Sequence, residues 1–258
     1  MTTRRIEVLG VPVDGVDMDQ SLAALDGFVR RQQGPPAVVL AVNPEKVFLI
    51  RSDPRLMESF RRADLLVPDG IGVTLAARWI HHAAIGRVPG VDLMSRVCEA
   101  APRAGYRLFV FGGREHVNAQ AVAVLQARHA GIEIVGRAYG YVPADEMPSL
   151  VDRINASGAD ILFVGLGSPV QERWIETWRA SLRVKVCQGV GGSLDAISGV
   201  VPRAPRVFRR LGLEWLYRLA AQPWRVRRQA RLLRFAGEVL AARLRGLARG
   251  RRGAVARP

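Results

Sequence analysis

The sequence predicts an α/β fold: a Rossmann-like, mostly parallel sheet with helices on both faces, followed by a basic helical appendage at the C-terminus. Short runs of Val, Ile and Leu alternate with helical stretches between residues 36 and 195. These runs are apolar at nearly every position, as expected of strands that are buried on both faces. From residue 200 the pattern changes to an arginine-rich helical one. We therefore expect a core of residues 1–199 and an appendage of residues 200–258.

The predicted elements follow one another closely along the chain. The stretch at 114–131 is the clearest helix, because Val117, Ala121 and Leu125 share one face and Gly131 is a natural C-cap. We expect further helices at 21–33, 44–63, 71–80, 92–105, 144–157 and 170–182, and strands at 36–43, 64–70, 107–113, 132–140, 159–167 and 184–192. Ligands of such sheets bind at the carboxyl ends of the strands.

Charge is distributed unevenly along the chain, whose net charge is +15. Residues 1–199 contain 22 basic and 21 acidic residues, whereas residues 200–258 contain 16 arginines and two acidic residues, a net charge of +14. This asymmetry indicates an anionic partner, which is a lipid surface, a nucleic acid or a phosphorylated substrate. Apolar residues between Val226 and Leu247 recur at three-, four- and seven-residue steps among the arginines, which is typical of a basic amphipathic helix.

The composition excludes several classes of protein. Hydrophobic residues make up 49% of the chain, too many for a disordered protein. Cys98 and Cys187 lie far apart, which excludes a disulfide scaffold and a zinc module and fits a reducing compartment. The longest uncharged run, Gln32 to Pro44, has thirteen residues, whereas a membrane span needs about 18–20. The N-terminal residues lack a secretory signal, so we expect a cytoplasmic protein.

Three predicted strands end in glycine-bearing turns, where backbone N–H groups can face a diphosphate. The glycines are Gly112 and Gly113, Gly165 and Gly167, and Gly191 and Gly192. Tight turns between strand and helix need glycine in any case, so each turn alone is ambiguous. None of them matches a full dinucleotide fingerprint or a P-loop, which weakens the nicotinamide and nucleoside triphosphatase alternatives. Together they favour a nucleotide pocket.

Polar residues follow two further strand ends and one of the glycine turns. Asp69 directly follows an apolar strand, where it could act as a partly buried general base. Burial would raise the pKa of its carboxyl group. The alternative is that Asp69 caps a helix or forms a turn. Asn43 precedes a proline and either hydrogen-bonds a ligand or initiates a turn. Gln171 follows a Gly-Ser-Pro turn and is placed to contact a hydroxyl or a base.

For the remaining candidate site residues, the sequence favours structural roles. Asp17 and Asp19 form a D-x-D pair, but they precede a predicted helix, and we expect Asp19 to cap it. His81 and His82 are adjacent and have no partner at ligand spacing in the sequence, and the two cysteines are expected in the core. We therefore predict no metal site.

Taken together, the motifs resemble those of one family. Their order is typical of the WecG/TagA/CpsF glycosyltransferases (glycosyltransferase family 26): NPEK at 43–46, VPDGIGV at 67–73, GRVPGVDL at 86–93, FVFGG at 109–113, GLGSPVQERW at 165–174, GVGGSLD at 189–195 and RAPRVFRRLGLEWLYRL at 203–219. The resemblance covers about residues 5–235, and the combination of motifs is highly specific.

The resemblance implies an inverting, metal-independent glycosyltransferase that uses a UDP-sugar and no cofactor. Well-studied members transfer N-acetylmannosamine or its uronic acid to N-acetylglucosamine carried on undecaprenyl diphosphate. Other members serve exopolysaccharide assembly with different sugars, which leaves a donor of the UDP-glucose type as an alternative. The resemblance also implies a peripheral protein on the inner face of the bacterial membrane and a homo-oligomer in solution.

The family's functional residues carry over onto matching positions. By resemblance Asp69 is the base, and Asn43 and Gln171 contact the substrates. The appendage arginines used by the family match Arg218, Arg225 and Arg228. One position departs from the pattern, because several members have Thr where this chain has Ala41. A hydroxyl contact to substrate is therefore missing or replaced.

Two other classes of protein stay open. A nucleic-acid-binding protein would use the basic appendage to contact phosphates, but Trp215, Tyr217 and Trp224 interleave with the arginines in helical order and no nucleic-acid motif accompanies them. A soluble nucleotide-sugar enzyme, such as an epimerase, would leave the appendage without a role. We therefore expect a UDP-sugar, a polyprenyl-diphosphate-linked acceptor and an anionic membrane as partners, and no nucleic acid.

Overall fold

The computed structural model describes residues 4–205, 207–208, 216–217 and 226–255, with the side chains of the last segment described for 231–245. The strands are β1 (Arg5–Val8), β2 (Val11–Asp14), β3 (Ala37–Val42), β4 (Leu65–Pro68), β5 (Arg107–Gly112), β6 (Glu133–Ala138), β7 (Ile161–Gly165) and β8 (Val186–Gly189). The helices are α1 (Met18–Val29), α2 (Pro44–Ser52), α3 (Pro54–Arg62), α4 (Ile71–His81), α5 (Gly90–Ala104), α6 (Glu115–Arg128), α7 (Met147–Ala156), α8 (Val170–Trp178), α9 (Ser193–Ser198) and α10 (Val226–Val255).

Six of the strands form one parallel sheet in the order β4-β3-β8-β7-β5-β6. Buried residues form two apolar clusters, to which successive residues of β3 contribute alternately, so both faces of the sheet are covered. This confirms the predicted α/β class with its doubly covered parallel sheet. β1 and β2 form a separate antiparallel hairpin that the sequence analysis did not predict.

The strand order creates one topological switch point in the sheet. The chain leaves β5 towards its neighbour β6, but it leaves β7 in the opposite direction towards β8. The two connections therefore diverge between β5 and β7. Open α/β sheets bind ligands at such a point.

Several predicted boundaries differ from the observed ones for local reasons. The single helix expected at 44–63 is two helices, because Asp53 leaves the helical conformation and its carboxylate accepts the N–H groups of Arg55 and Leu56 at the start of α3. The prediction that Asp19 caps α1 was wrong. Asp17 is the cap, and it exchanges backbone and side-chain hydrogen bonds with Gln20 in a capping box.

The C-terminal helix α10 packs on the outside of the core against α2 and α4. Phe235 and Val239 of α10 are buried in this interface, and Glu238 forms an ion pair with Arg51 of α2. Within the described part of the chain, no helix is both long and apolar enough to cross a membrane.

Candidate active site

Two predicted site residues, Asn43 and Asp69, lie side by side at the carboxyl edge of the sheet. Val42 and Pro68 are register partners on β3 and β4, so the next residue of each strand leaves the sheet at the same level. The Asp69 N–H donates to the Val42 carbonyl at 2.8 Å, which ties the two strand ends together. Asp69 is half-buried, as predicted, and the N-cap of α4 is Gly70.

The glycines at the switch point allow neighbouring segments of backbone to approach closely. Gly112 and Gly165 are register partners, and the Gly113 N–H donates to the Gly165 carbonyl at 3.0 Å. Gly112 has a φ of +127°, and a Cβ there would lie 2.4 Å from the Gly165 carbonyl oxygen. Only glycine fits, because a side chain would collide with the neighbouring strand. A Cβ on Gly165 would in turn meet Leu194 Cδ1 at 2.9 Å, so these glycines serve the close packing of β5, β7 and α9.

The Gly191 turn is held by a buried polar network. The Gln171 Oε1 accepts the Gly191 N–H at 2.9 Å, and its Nε2 donates to the Glu172 Oε1 at 3.0 Å. Glu172 also accepts hydrogen bonds from Lys46 Nζ at 3.0 Å and from Ser168 Oγ at 2.9 Å. Gln171 and Glu172 are each 1% exposed. The network therefore links the carboxyl ends of β3, β7 and β8.

Within this network Gln171 touches other residues of the protein through both ends of its amide. The sequence analysis placed it to contact a hydroxyl or a base, which stays a prediction. Asn43 likewise has a structural contact, since its Oδ1 accepts the Lys46 N–H at 2.9 Å and caps α2. Both residues thus shape the edge on which a ligand would lie.

The predicted residues follow a fixed order along this edge. The turns after β5, β7 and β8 come first, and Asn43 after β3 and Asp69 after β4 come last. Neighbouring strands are about 4.8 Å apart, so the distance from the β5 turn to Asp69 is about 19 Å. The edge is therefore long enough for an extended ligand that meets glycine turns at one end and a carboxylate at the other.

Two tyrosines flank the glycine end of the edge, and sequence reasoning missed them. Tyr139 and Tyr141 follow β6, are exposed, and enclose Gly140, whose N–H donates to the Gly113 carbonyl at 2.7 Å. Tyr141 is 70% exposed. Their signal in the sequence is a Tyr-Gly-Tyr run directly after a strand. Exposed aromatic rings at such a place can stack on a nucleobase.

A cationic group reaches the same edge from the segment after α9. Arg203 forms an ion pair with Asp92 in the first turn of α5. Its Nε is buried and has no hydrogen-bond partner among the described residues. Arg218 and Arg225 lie outside the described residues, and so does the side chain of Arg228.

The cysteines are core residues, as expected. Burial raises the pKa of Cys98 and of Cys187 to about 12, so both thiols are protonated and poor nucleophiles. Among the residues that the structure describes, no three His, Cys, Asp or Glu side chains are grouped to hold a metal ion. His82 instead contacts Arg243 of α10 at 2.7 Å.

The fold and this edge define a Rossmann-like α/β protein whose glycine turns and polar residues lie at the same edge of the sheet. The family model described as Glycosyl transferase WecG/TagA/CpsF family matches residues 6–249. The chain belongs to this family, which confirms the resemblance found in the motifs. It is thus a glycosyltransferase, and the family indicates a role in cell-surface polysaccharide synthesis.

Proposed function

We propose that the protein transfers N-acetylmannosamine or its uronic acid from a UDP-sugar to N-acetylglucosamine on a polyprenyl diphosphate, with inversion and without a metal. The observation that carries this proposal is the order of groups along the carboxyl edge. Glycine turns stand at the switch point, and Asn43 and Asp69 stand two and three strands from β7. A nucleotide-sugar laid along the edge meets these groups in the order nucleotide, diphosphate, sugar.

The glycine end suits the nucleotide. The Gly113 and Gly191 N–H groups are bonded within the protein, so other backbone N–H groups of the three glycine turns stabilise the diphosphate. Tyr139 or Tyr141 stacks on the uracil. As the sugar leaves, negative charge builds on the β-phosphate of UDP. Preorganised N–H dipoles and the guanidinium groups of Arg218, Arg225 and Arg228 stabilise that charge in place of a metal.

The carboxylate end suits the acceptor. Asp69 takes the proton of the acceptor hydroxyl while the hydroxyl oxygen attacks the anomeric carbon. The new carbon–oxygen bond forms on the face opposite the departing phosphate, and UDP leaves with the electron pair of the old bond. Attack in line with the leaving group inverts the anomeric centre. Asn43 lies beside Asp69 and hydrogen-bonds the sugar.

The C-terminal segment suits an anionic membrane on the cytoplasmic side. In α10 the exposed apolar residues Leu233, Leu240 and Leu244 recur at helical spacing among arginines. Each basic residue near an acidic lipid surface contributes about 1 kcal/mol. Docking of this segment brings the appendage arginines over the site, so turnover follows lipid binding. The homo-oligomer implied by the family belongs to the same proposal.

A donor screen tests the proposal. UDP release is measured on anionic vesicles with UDP-N-acetylmannosamine, its uronic acid and UDP-glucose, each with and without a prenyl-diphosphate-linked N-acetylglucosamine acceptor and with EDTA. We expect acceptor-dependent release with one of the first two donors, unchanged by EDTA. If only UDP-glucose supports release, the proposed donor sugar is wrong. If EDTA abolishes release, the proposed metal-independent mechanism is wrong. A gel shift on duplex DNA with no sugar transfer would favour the nucleic-acid-binding class.

A further inference from the structure

The C-terminal helix α10 touches the two helices that begin at the carboxylate end of the edge. α2 starts directly after Asn43, and α4 starts at Ile71, two residues after Asp69. α10 packs against both of them. Phe235 of α10 lies close to the start of α4 and is 4% exposed.

The Phe235 ring sits where the first turns of α2 and α4 meet. A Cβ placed on Gly72 would come within 2.7 Å of Pro44 Cγ and 3.7 Å of Phe235 Cε1. Pro44 and Gly72 are thus in close contact, and the ring lies against Gly72 beside them. Pro44 is adjacent to Asn43, and Gly72 is three residues from Asp69. The ring also meets Phe48 of α2 edge-on, with centroids 6.5 Å apart.

Polar contacts on both sides keep the ring in this position. Arg51 of α2 pairs with Glu238, and Arg234 bonds the same carboxylate at 3.1 Å while its guanidinium lies 4.7 Å from the Phe48 ring centroid. Two turns further along α10, Arg243 meets His82 at the end of α4. These contacts set both the rotation of α10 and its position along the two helices.

Small movements of the two helix starts are transmitted directly to the site residues. The Asn43 Oδ1 caps α2 through the Lys46 N–H, and the Asp69 N–H is bonded to the Val42 carbonyl. The Asn43 side chain is therefore attached to the first turn of α2, and the Asp69 backbone is attached to the β3 residue that precedes Asn43. A displacement of about 1 Å between reacting groups costs about 100-fold in rate.

We propose that Phe235 is a positioning residue: its ring wedges the first turns of α2 and α4 together and so sets the geometry of Asn43 and Asp69. This inference rests on the proposed function for its effect on turnover. The wedge also couples the appendage to the site, because a movement of α10 reaches the starts of α2 and α4 through the Phe235 ring.

Three variants of the full chain test the wedge. Phe235→Ala removes it, Phe235→Leu retains most of its volume, and Ala241→Ser is the control, since Ala241 is an exposed residue of the same helix that lies outside the leucine face. Hydrogen exchange is followed at two reporter amides, Lys46 and Asp69. Turnover on anionic vesicles is measured beside the number of UDP sites per chain, which counts the correctly folded protein.

We expect Phe235→Ala to speed exchange at both reporters by about tenfold and to lower kcat by about tenfold or more, with the donor KM and the number of UDP sites unchanged. Phe235→Leu should restore most of kcat, and Ala241→Ser should match the wild type. A loss of UDP sites in proportion to kcat would show that Phe235 is merely structural.

Different results would refute the proposed function and the role of Phe235. If the wild-type protein transfers no sugar from any donor, the proposed function is wrong, while exchange at the two reporters still decides whether Phe235 orders the helix starts. If exchange at Lys46 and Asp69 is the same in Phe235→Ala as in Ala241→Ser, the wedge is wrong whether or not sugar is transferred.

Discussion

Glu172 shows at the scale of a residue how a buried charge can organise a site. Its carboxylate is removed from water and accepts hydrogen bonds from Lys46, Ser168 and Gln171. A buried charge is tolerated only when such partners compensate it, and removal of one partner leaves the other charge unpaired. The network therefore keeps three strand ends in one relative position.

Lys46→Met should destabilise the protein by about 3 kcal/mol, because Glu172 then stays buried without its counter-ion. Glu172→Gln should cost a similar amount, and the double variant should recover part of the loss. The measurement is the free energy of unfolding in urea for all three. Lys185→Met, which removes the other lysine of the chain, is the control. Equal, small effects of Lys46→Met and Lys185→Met would contradict this account.

Gly112→Ala tests the close approach of β5 and β7. Its Cβ would lie 2.4 Å from the Gly165 carbonyl oxygen, whereas a Cβ at Gly105, where φ is also positive, meets nothing within 4 Å. Gly105→Ala should therefore lower the free energy of unfolding only by the backbone strain, about 1 kcal/mol. Gly112→Ala should lower it by about 2 kcal/mol more, because of the clash. Gly112→Ala should also weaken UDP binding, as measured by calorimetry. Similar unfolding energies for the two variants would show that the clash relaxes without cost.

At the scale of the element, local sequence patterns predicted what each segment is but not how segments meet. The buried strands β3, β5 and β7 were predictable because their apolar residues are continuous. The break at Asp53 was not, since helical periodicity runs through it and only the capping bonds and Pro54 end α2 there. The hairpin of β1 and β2 was not predicted, because each of its strands has only four residues.

Some residues of the candidate site could likewise be predicted from the sequence, and others could not. Asp69, Asn43 and the glycine turns were predictable, because each follows an apolar strand and parallel strands end at one edge. The Lys46–Glu172 pair was not, because its members are 126 residues apart and only the strand order places β3 and β7 on either side of β8. The same holds for Phe235, whose partners Pro44 and Gly72 are far from it in sequence.

Helix α1 is attached to β5 by a bond that depends on pH. The Tyr106 hydroxyl donates to Asp26 Oδ1 at 2.6 Å, and burial together with this bond raises the pKa of Tyr106. The stabilisation is thus complete below the unfolded value of about 10 and is lost as pH rises above it. The free energy of unfolding in urea is measured for the wild type and Tyr106→Phe at pH values spaced by about half a unit. The difference between the two proteins should become smaller from about pH 9 upwards. Tyr141→Phe, at an exposed ring, should show no such trend, and a constant gap for Tyr106→Phe would refute the linkage.

At the scale of the whole molecule, the charge asymmetry and the position of α10 belong together. The segment with a net charge of +14 includes a helix that is anchored on the core through one face and exposes leucines on another. Such a helix can lie on a lipid surface without leaving the protein. Because the core behind it is nearly neutral, the proposed attraction to an anionic membrane would orient the molecule.

Leu240→Glu should lower co-sedimentation with anionic vesicles several-fold, because it places a negative charge among the exposed leucines of α10. UDP binding should not change. Ser149→Glu adds the same charge at an exposed position of α7 and serves as the control. Added salt should weaken binding of the wild type, since the arginine contribution is screened. Equal vesicle binding by the two variants would exclude α10 as the lipid-contacting surface.

The most direct test of the central claim is the rate of acceptor-dependent UDP release by Asp69→Asn, compared with Asp152→Asn at an exposed position of α7. If Asp69 is the base at the end of the nucleotide-sugar edge, its variant should lose about 100-fold or more in kcat while it binds UDP as the wild type does. Asp152→Asn should keep full activity. Wild-type turnover by Asp69→Asn would contradict the assignment of the base and, with it, the proposed direction of the substrate along the edge.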